Sequence, residues 1–279
     1  MTAAFFQSRP FRDIVERLYP TSLQDDAERW AAYRERLIAY EDAGRLATEL
    51  TAQLVTGPLQ DANPQRFVCR LDRGSQVTKT PQSIDDKLFR YLSGRKVVGQ
   101  AVTQSILRRL VAEKERPERF LDLVFRDLPG ILNDLARFRI VGNFLTDIRN
   151  VAEVLRSDVF EPYTDRLRVD PAIEDRVEDD RWESSSTGHR AIHLRMQACI
   201  GGEWLGIEVQ VMTMLELGWD HKAHLIYEHS RRGNREIVDK RARLGIGAVS
   251  DTLYVADAFF DRLFHETFET SAGTREEES

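Results

Sequence analysis

Cysteine is almost missing from this chain: of 279 residues only Cys69 and Cys199 are cysteines, and each sits inside an apolar run. That scarcity rules out a disulfide framework and fits buried, reduced thiols in a reducing compartment. No apolar run approaches the roughly 20 residues that a membrane span needs, so no membrane partner is expected. The opening Met1 to Arg12 has no cationic segment followed by a long apolar core, so no secretory signal is expected either, and the expected location is the cytoplasm. Charge of one sign does not dominate: 46 acidic against 40 basic residues give a formal net charge of −6. This argues against indiscriminate polyanion binding while leaving room for a local basic patch. What is present, 42% hydrophobic and 31% charged residues, describes an ordinary globular protein.

The most informative stretch runs from Thr187 through His193 and is followed by Gly206 to Thr213. Ile192, Leu194 and Met196 alternate with His193 and Arg195, and Ile207, Val209 and Val211 alternate with Glu208 and Gln210. Strand side chains point to opposite faces in turn, so one face is apolar and the other gathers His193, Arg195, Glu208 and Gln210. Gly201-Gly202 between the runs is a hairpin signal. A structural histidine and an ordinary Glu208–Arg195 cross-strand pair fit the same residues.

Two further segments carry chemistry. Lys79, Ser83 and Lys87 are spaced four and four, which places them near one face of a helix, with Arg90 three further on. Two ammonium groups flanking a hydroxyl near a helix N-terminus suit a phosphate. Taken alone, the segment reads first as a solvated helix face with Ser83 as a cap. In Asp134 to Ile140, Ala136, Phe138 and Ile140 face a core while Arg137 and Arg139 face the other way.

Around these motifs the periodicities predict helices at Phe11 to Tyr19 and at Asp25 to Val55, the latter ended by Gly57-Pro58. They predict a short strand near Phe67-Val68-Cys69 and a helix opening at Pro81. Further helices are expected at Val97 to Glu115 and from Pro117 to about Leu132. Leu135 to Val141 and Asp165 to Val169 read as strands, Leu145 to Leu155 as an amphipathic helix, and Asp170 to Gly188 as a long loop. Met214 to Tyr227 and Glu236 to Phe268 read as helices, and Ser271 to Ser279 as disordered.

The expected class is α+β: a mixed sheet of about five strands flanked by helices. Expected boundaries are an N-terminal helical extension at 1–60, a central domain at 61–232, a C-terminal helical extension at 233–270 and a tail at 271–279.

Taken jointly, these pieces resemble the synthetase domain of the RelA/SpoT family of nucleotide pyrophosphokinases, over about Val77 to Tyr227. Asp134 to Arg139 is similar to the family's Asp-x-x-Gly-x-Arg strand, and Gly188 to His193 matches Gly-Tyr-Arg-x-x-His except at the tyrosine. Glu208, Gln210 and Thr213 match Glu-x-Gln-x-x-Thr, and Trp219, His224 and Tyr227 resemble the helix that follows. Lys79, Ser83 and Lys87 look like its Lys-x-x-x-Ser-Ile-x-x-Lys helix.

The resemblance implies a nucleotidyltransferase-like fold, and transfer of the β,γ-pyrophosphate of ATP to the ribose 3′-hydroxyl of GDP or GTP. It assigns Asp134 and Glu208 to Mg²⁺, and Asp134, Glu208 and Gln210 to catalysis. Lys79, Ser83, Lys87, Arg137 and Arg139 go to the ATP phosphates. His189, Arg190, His193, Thr213 and His224 go to the acceptor.

Four departures stand out. His189 replaces the tyrosine that stacks on the acceptor guanine, and Arg137 replaces a glycine. The segment Asp179 to Thr187 lacks a Pro-Lys pair, and Glu228 replaces a basic residue. The donor chemistry is thus kept and the acceptor left open. A related alternative is a toxin that pyrophosphorylates the 3′ end of tRNA, for which Arg95-Lys96, Arg108-Arg109 and Arg116 to Arg119 are candidate phosphate contacts. Another is a non-catalytic nucleotide or RNA sensor. A small, synthetase-only protein is expected, with an antitoxin or a second copy of the chain as candidate partners.

Overall fold

The computed structural model describes residues 27–62, 70–81, 83, 84, 87, 134–177, 189–231 and 240–269. The chain order is α1 (Ala27–Ala62), β1 (Arg70–Thr78), β2 (Ala136–Gly142), α2 (Leu145–Arg156), a 3₁₀ turn (Asp158–Tyr163) and β3 (Leu167–Asp175). There follow β4 (Ile192–Ile200), β5 (Glu203–Thr213), α3 (Met214–Arg231) and α4 (Lys240–Phe264), with a π turn (His265–Glu269) at its end. The five strands form one mixed sheet in the order β1-β2-β5-β4-β3. Only β2 and β5 run parallel; the other pairs are antiparallel. The class is α+β, as the patterning predicts.

The β4–β5 hairpin forms because Gly201 and Gly202, at φ of +59° and +87°, adopt the left-handed backbone that a two-residue connection needs. Its register pairs Ile192 with Val211 and Leu194 with Val209, so the apolar sets share a face. That face is fully buried: Phe138, Ile140, Leu194, Ile207, Val209 and Val211 are each at most 1% exposed. They pack with Tyr40, Ala47 and Val55 of α1 and with Ile148, Val151 and Leu155 of α2 in one cluster. The close approach of α1 to β1 needs a glycine, because a Cβ on Gly44 would lie 2.7 Å from Thr78 Cγ2.

The far ends of α1 and β3 differ from the sequence expectation. Helix α1 continues through Gly57-Pro58 to Ala62; Thr51 and Val55 are fully buried just before it, and packing overrides local propensity. The first described strand is Arg70–Thr78, whose own sequence is polar and which pairing with β2 decides; the strand expected near Phe67 to Cys69 lies outside the described residues. Strand β3 extends to Asp175, into the segment expected as a loop, of which residues 178–188 lie outside the described residues. A register shift between Val169 and Ile173 takes up Pro171 on this edge strand, and pairing with β4 then resumes. Helix α4 is described from Lys240, and its expected start at Glu236 lies outside the described residues. The elements expected at Phe11 to Tyr19, Val97 to Glu115 and Pro117 to Leu132, the tail, and the paired basic residues between Arg95 and Arg119 also lie outside them.

Candidate active site

The parallel β2–β5 register sets Arg137 beside Glu208 and Arg139 beside Gln210, while β4 sets His193 beside Gln210 on the other side. Neighbours in register project from the same face, so these side chains meet on the polar side of the sheet. Glu208 Oε1 lies 3.0 Å from Arg137 Nε and 3.7 Å from His193 Nδ1, and accepts a 2.6 Å hydrogen bond from Gln210 Nε2. Gln210 Oε1 in turn accepts from Arg139 Nε at 3.3 Å. Arg195, level with Glu208 on β4, is half-buried on the same face.

Asp134 stands just before β2. Its carboxylate contacts both Lys79 Nζ, at 3.0 Å, and Lys87 Nζ. The Lys79 backbone N–H donates to Leu135 O at 2.9 Å, which ties the two segments together. Residues 81, 83, 84 and 87 are helical. Thr80, not Ser83, caps this turn: its hydroxyl accepts from Ser83 N at 3.3 Å, with Pro81 in the first helical position.

Burial would push the Asp134 carboxyl up, but Lys87 and Lys79 outweigh it and hold it well below the usual carboxylate range. Glu208 follows the same pattern: burial raises it, and Arg137, then His193, bring it below its ordinary value. Asp134 is near enough that its charge opposes this lowering. Two ionised carboxylates therefore lie within electrostatic reach of each other, each already countered by cations. Among the described residues no group of three or more His, Cys, Asp or Glu side chains is arranged to hold a metal. Two hard carboxylates with phosphate oxygens completing the shell is nonetheless the usual Mg²⁺ arrangement.

No protein-family model matches the chain, and no curated protein matches it in sequence. Solved structures do match. The small alarmone synthetase 2 from Bacillus subtilis aligns with a TM-score of 0.55 and 18% identity, covering 84% of this chain and 99% of that one. The small alarmone synthetase 1 from Bacillus subtilis bound to its product pppGpp gives 0.54 and 17%, over 86% and 99%. A GTP pyrophosphokinase family protein from Streptococcus pneumoniae gives 0.51 and 12%, over 88% and 98%. The fold is that of the small alarmone synthetases.

Within this alarmone-synthetase fold the remaining expected residues separate into two groups. His189 joins the site: its ring meets His193 edge-on at 5.4 Å and stacks on Trp219 at 6.3 Å and 24°. Its Nδ1 lies 3.4 Å from Asp220 and 3.6 Å from Glu216. Burial, against the opposing charge of Asp220, lowers His189 to about 4. Burial, against Glu208, lowers His193 to about 3. Both rings are neutral at pH 7, and His193 Nε2 is buried with no hydrogen-bond partner.

Arg190 and Thr213 are engaged with helices instead. Arg190 donates to Val177 O at 2.7 Å and to Asp251 at 2.5 Å, and lies over Tyr254. The Thr213 hydroxyl donates to Asp257 and accepts from Glu216 N, capping α3. His224 lies on α3, its side chain outside those described.

Two acidic residues escaped the sequence reading. Asp220 pairs with the Arg139 guanidinium, which the resemblance assigned to phosphate. Buried Glu216 accepts from the Arg190 backbone N–H at 2.9 Å, and burial pushes it up to about 8. The available signal was their i,i+4 spacing at the start of α3, directly after the Glu-x-Gln strand.

Proposed function

We propose that this protein is a nucleotide pyrophosphokinase, transferring the β,γ-pyrophosphate of ATP to the ribose 3′-hydroxyl of GDP or GTP. The carrying observation is that Asp134, paired with Lys79 and Lys87, lies near enough to the Arg137–Glu208 pair for its charge to act on Glu208. A triphosphate with Mg²⁺ is the ligand whose charges such an array complements.

Asp134 and Glu208 would hold the Mg²⁺, which neutralises the phosphates and polarises the transferred group. Lys79, Lys87 and Arg137 then exchange their carboxylate partners for phosphate oxygens. Gln210, fixed between Glu208 and Arg139, orients the acceptor. His193 offers its unpartnered Nε2 to the ribose. The 3′-oxygen attacks the β-phosphorus, the bond to the α-phosphate oxygen breaks, AMP leaves, and the hydroxyl proton passes to solvent. Holding the two substrates in line supplies roughly 7–11 kcal/mol of the barrier.

The test is incubation with γ-labelled ATP and Mg²⁺, offering GDP, GTP, ADP, ATP and bulk tRNA separately. Label on GDP or GTP with stoichiometric AMP is expected. Label on tRNA alone moves the protein to the toxin reading, and absence of AMP with every acceptor leaves only a sensor.

A further inference from the structure

The stacked rings of His189 and Trp219 come from different elements, and both are tied to a third. His189 stands just before β4, and Trp219 lies in the second turn of α3. Trp219 Nε1 donates to the backbone oxygen of Ile246 at 3.0 Å. Arg190, next to His189 in the chain, donates to Asp251 at 2.5 Å and stands 4.8 Å above the Tyr254 ring. Asp257 accepts from the Thr213 hydroxyl, which caps α3. Ile246, Asp251, Tyr254 and Asp257 all belong to α4. At 3.6 residues per turn these four positions fall within an arc of roughly 140°. One helix therefore sets where both rings stand.

We propose that α4 is the positioning element of the acceptor side, with Asp251 acting through Arg190 to keep the His189 ring over Trp219, where the purine base of the acceptor docks. The docking role rests on the pyrophosphokinase reading above; the positioning of the rings does not. An exposed ion pair would carry little, but the Arg190 side chain is only 12% exposed. Its guanidinium also donates to Val177 O at 2.7 Å, and its backbone N–H donates to Glu216 at 2.9 Å, so a single residue joins α3, α4 and the end of β3. The planar fork of an arginine fixes its angle only while each partner is present. Removing the Asp251 oxygen frees the fork to turn, and the adjoining His189 with it. The Lys79–Asp134 and Arg137–Glu208 pairs belong to the sheet and the segments beside it, so a change on α4 should spare the ATP side.

Initial rates of AMP release by the full chain, with ATP and GDP or GTP varied in turn, test the docking role. Asp251→Ala should raise the KM for GDP or GTP about tenfold and leave the KM for ATP unchanged. Asp251→Asn keeps an oxygen acceptor for Arg190 and should restore most of the acceptor KM. A merely structural Asp251 would lower the active fraction, and so kcat, with neither KM moved. An unchanged acceptor KM in Asp251→Ala, or both KM values rising together, overturns the proposal.

Acrylamide quenching of Trp219 fluorescence tests the positioning without catalysis, in a background with Trp30→Phe, Trp182→Phe and Trp204→Phe. Trp219 is 5% exposed. Asp251→Ala should raise its quenching as His189 moves off the ring, and Asp251→Asn should not. A wild-type protein that releases no AMP removes the pyrophosphokinase reading and leaves the positioning to this measurement. Equal quenching in wild type and Asp251→Ala overturns the positioning itself.

Discussion

Arg137 and Glu208 are direct neighbours across the parallel β2–β5 pair, and their side chains form a 3.0 Å ion pair. The two residues lie far apart in the chain and meet through register alone. The same register places Gln210 against Arg139, so one parallel pairing assembles half of the proposed site.

Replacing Glu208 by Gln removes a metal-binding carboxylate and keeps the shape. AMP release from ATP should fall by at least about 10²-fold, the scale of losing one charge-stabilising group in a reacting site. Far-UV circular dichroism should be unchanged. Substantial turnover in Glu208→Gln would falsify the metal assignment.

Lys87→Ala should act through Asp134. With one of its two ammonium partners gone, the Asp134 carboxyl, now held low, moves up towards its ordinary value. A depressed folded-state pKa contributes stability above the unfolded value of about 3.9 that is lost as pH falls through the folded one. The variant should therefore begin acid unfolding at higher pH, as read from circular dichroism between pH 5 and 2. ATP affinity, read by equilibrium dialysis, should fall as well.

Glu216→Gln addresses the opposite sign. A carboxyl raised to about 8 in the folded state binds its proton more tightly there than in the unfolded chain. Stability from this group is complete below pH 4 and declines by about 1.4 kcal/mol per pH unit from about 4.5 towards 8. Gln keeps an acceptor for the Arg190 N–H and has no such slope. Urea midpoints at pH 5, 6, 7 and 8 should show the variant gaining on the wild type as pH rises. In that variant the lowered values of His189 and His193 remain, so stability should still fall as pH drops from about 6.5 towards 4.

His189→Tyr enlarges the ring that stacks on Trp219. Acceptance of purine nucleotides should improve, seen as a lower KM for GDP or GTP with little change in kcat. An unchanged acceptor preference discards the stacking role.

Two glycines give contrasting stability tests. A Cβ on Gly142 would lie 2.8 Å from Ile148 Cγ2, so Gly142→Ala should cost about 1–3 kcal/mol. Gly218, within α3, has nothing within 4 Å of a Cβ, so Gly218→Ala should stabilise by up to about 1 kcal/mol. Chemical denaturation checks both.

Much of this was legible in the chain because it follows from local periodicity. The Gly201-Gly202 turn, the alternation in β2, β4 and β5, and the amphipathic α2 each depend on neighbours within a few residues. The lysines on either side of Ser83 and the Glu-x-Gln pair were visible for the same reason. The strand of residues 70–78 was not, because a polar edge strand exists only through its partner. Asp220 and Glu216 looked like ordinary helix-surface acids until α3 docked against the end of β5. Arg190 and Thr213, read as acceptor contacts, turned out to be bonded to α4, since only docking of that helix brings Asp251 and Asp257 to them.

Alternation and turn chemistry in the amino-acid order by themselves determined which strand residues face the core and which face the chemistry, since side-chain direction on a strand has period two. Tertiary structure alone decided who stands beside whom: the parallel register of β2 against β5 and the pairing of Asp134 with lysines from another segment. Those choices depend on contacts between segments far apart in the chain, for which local periodicity carries no signal.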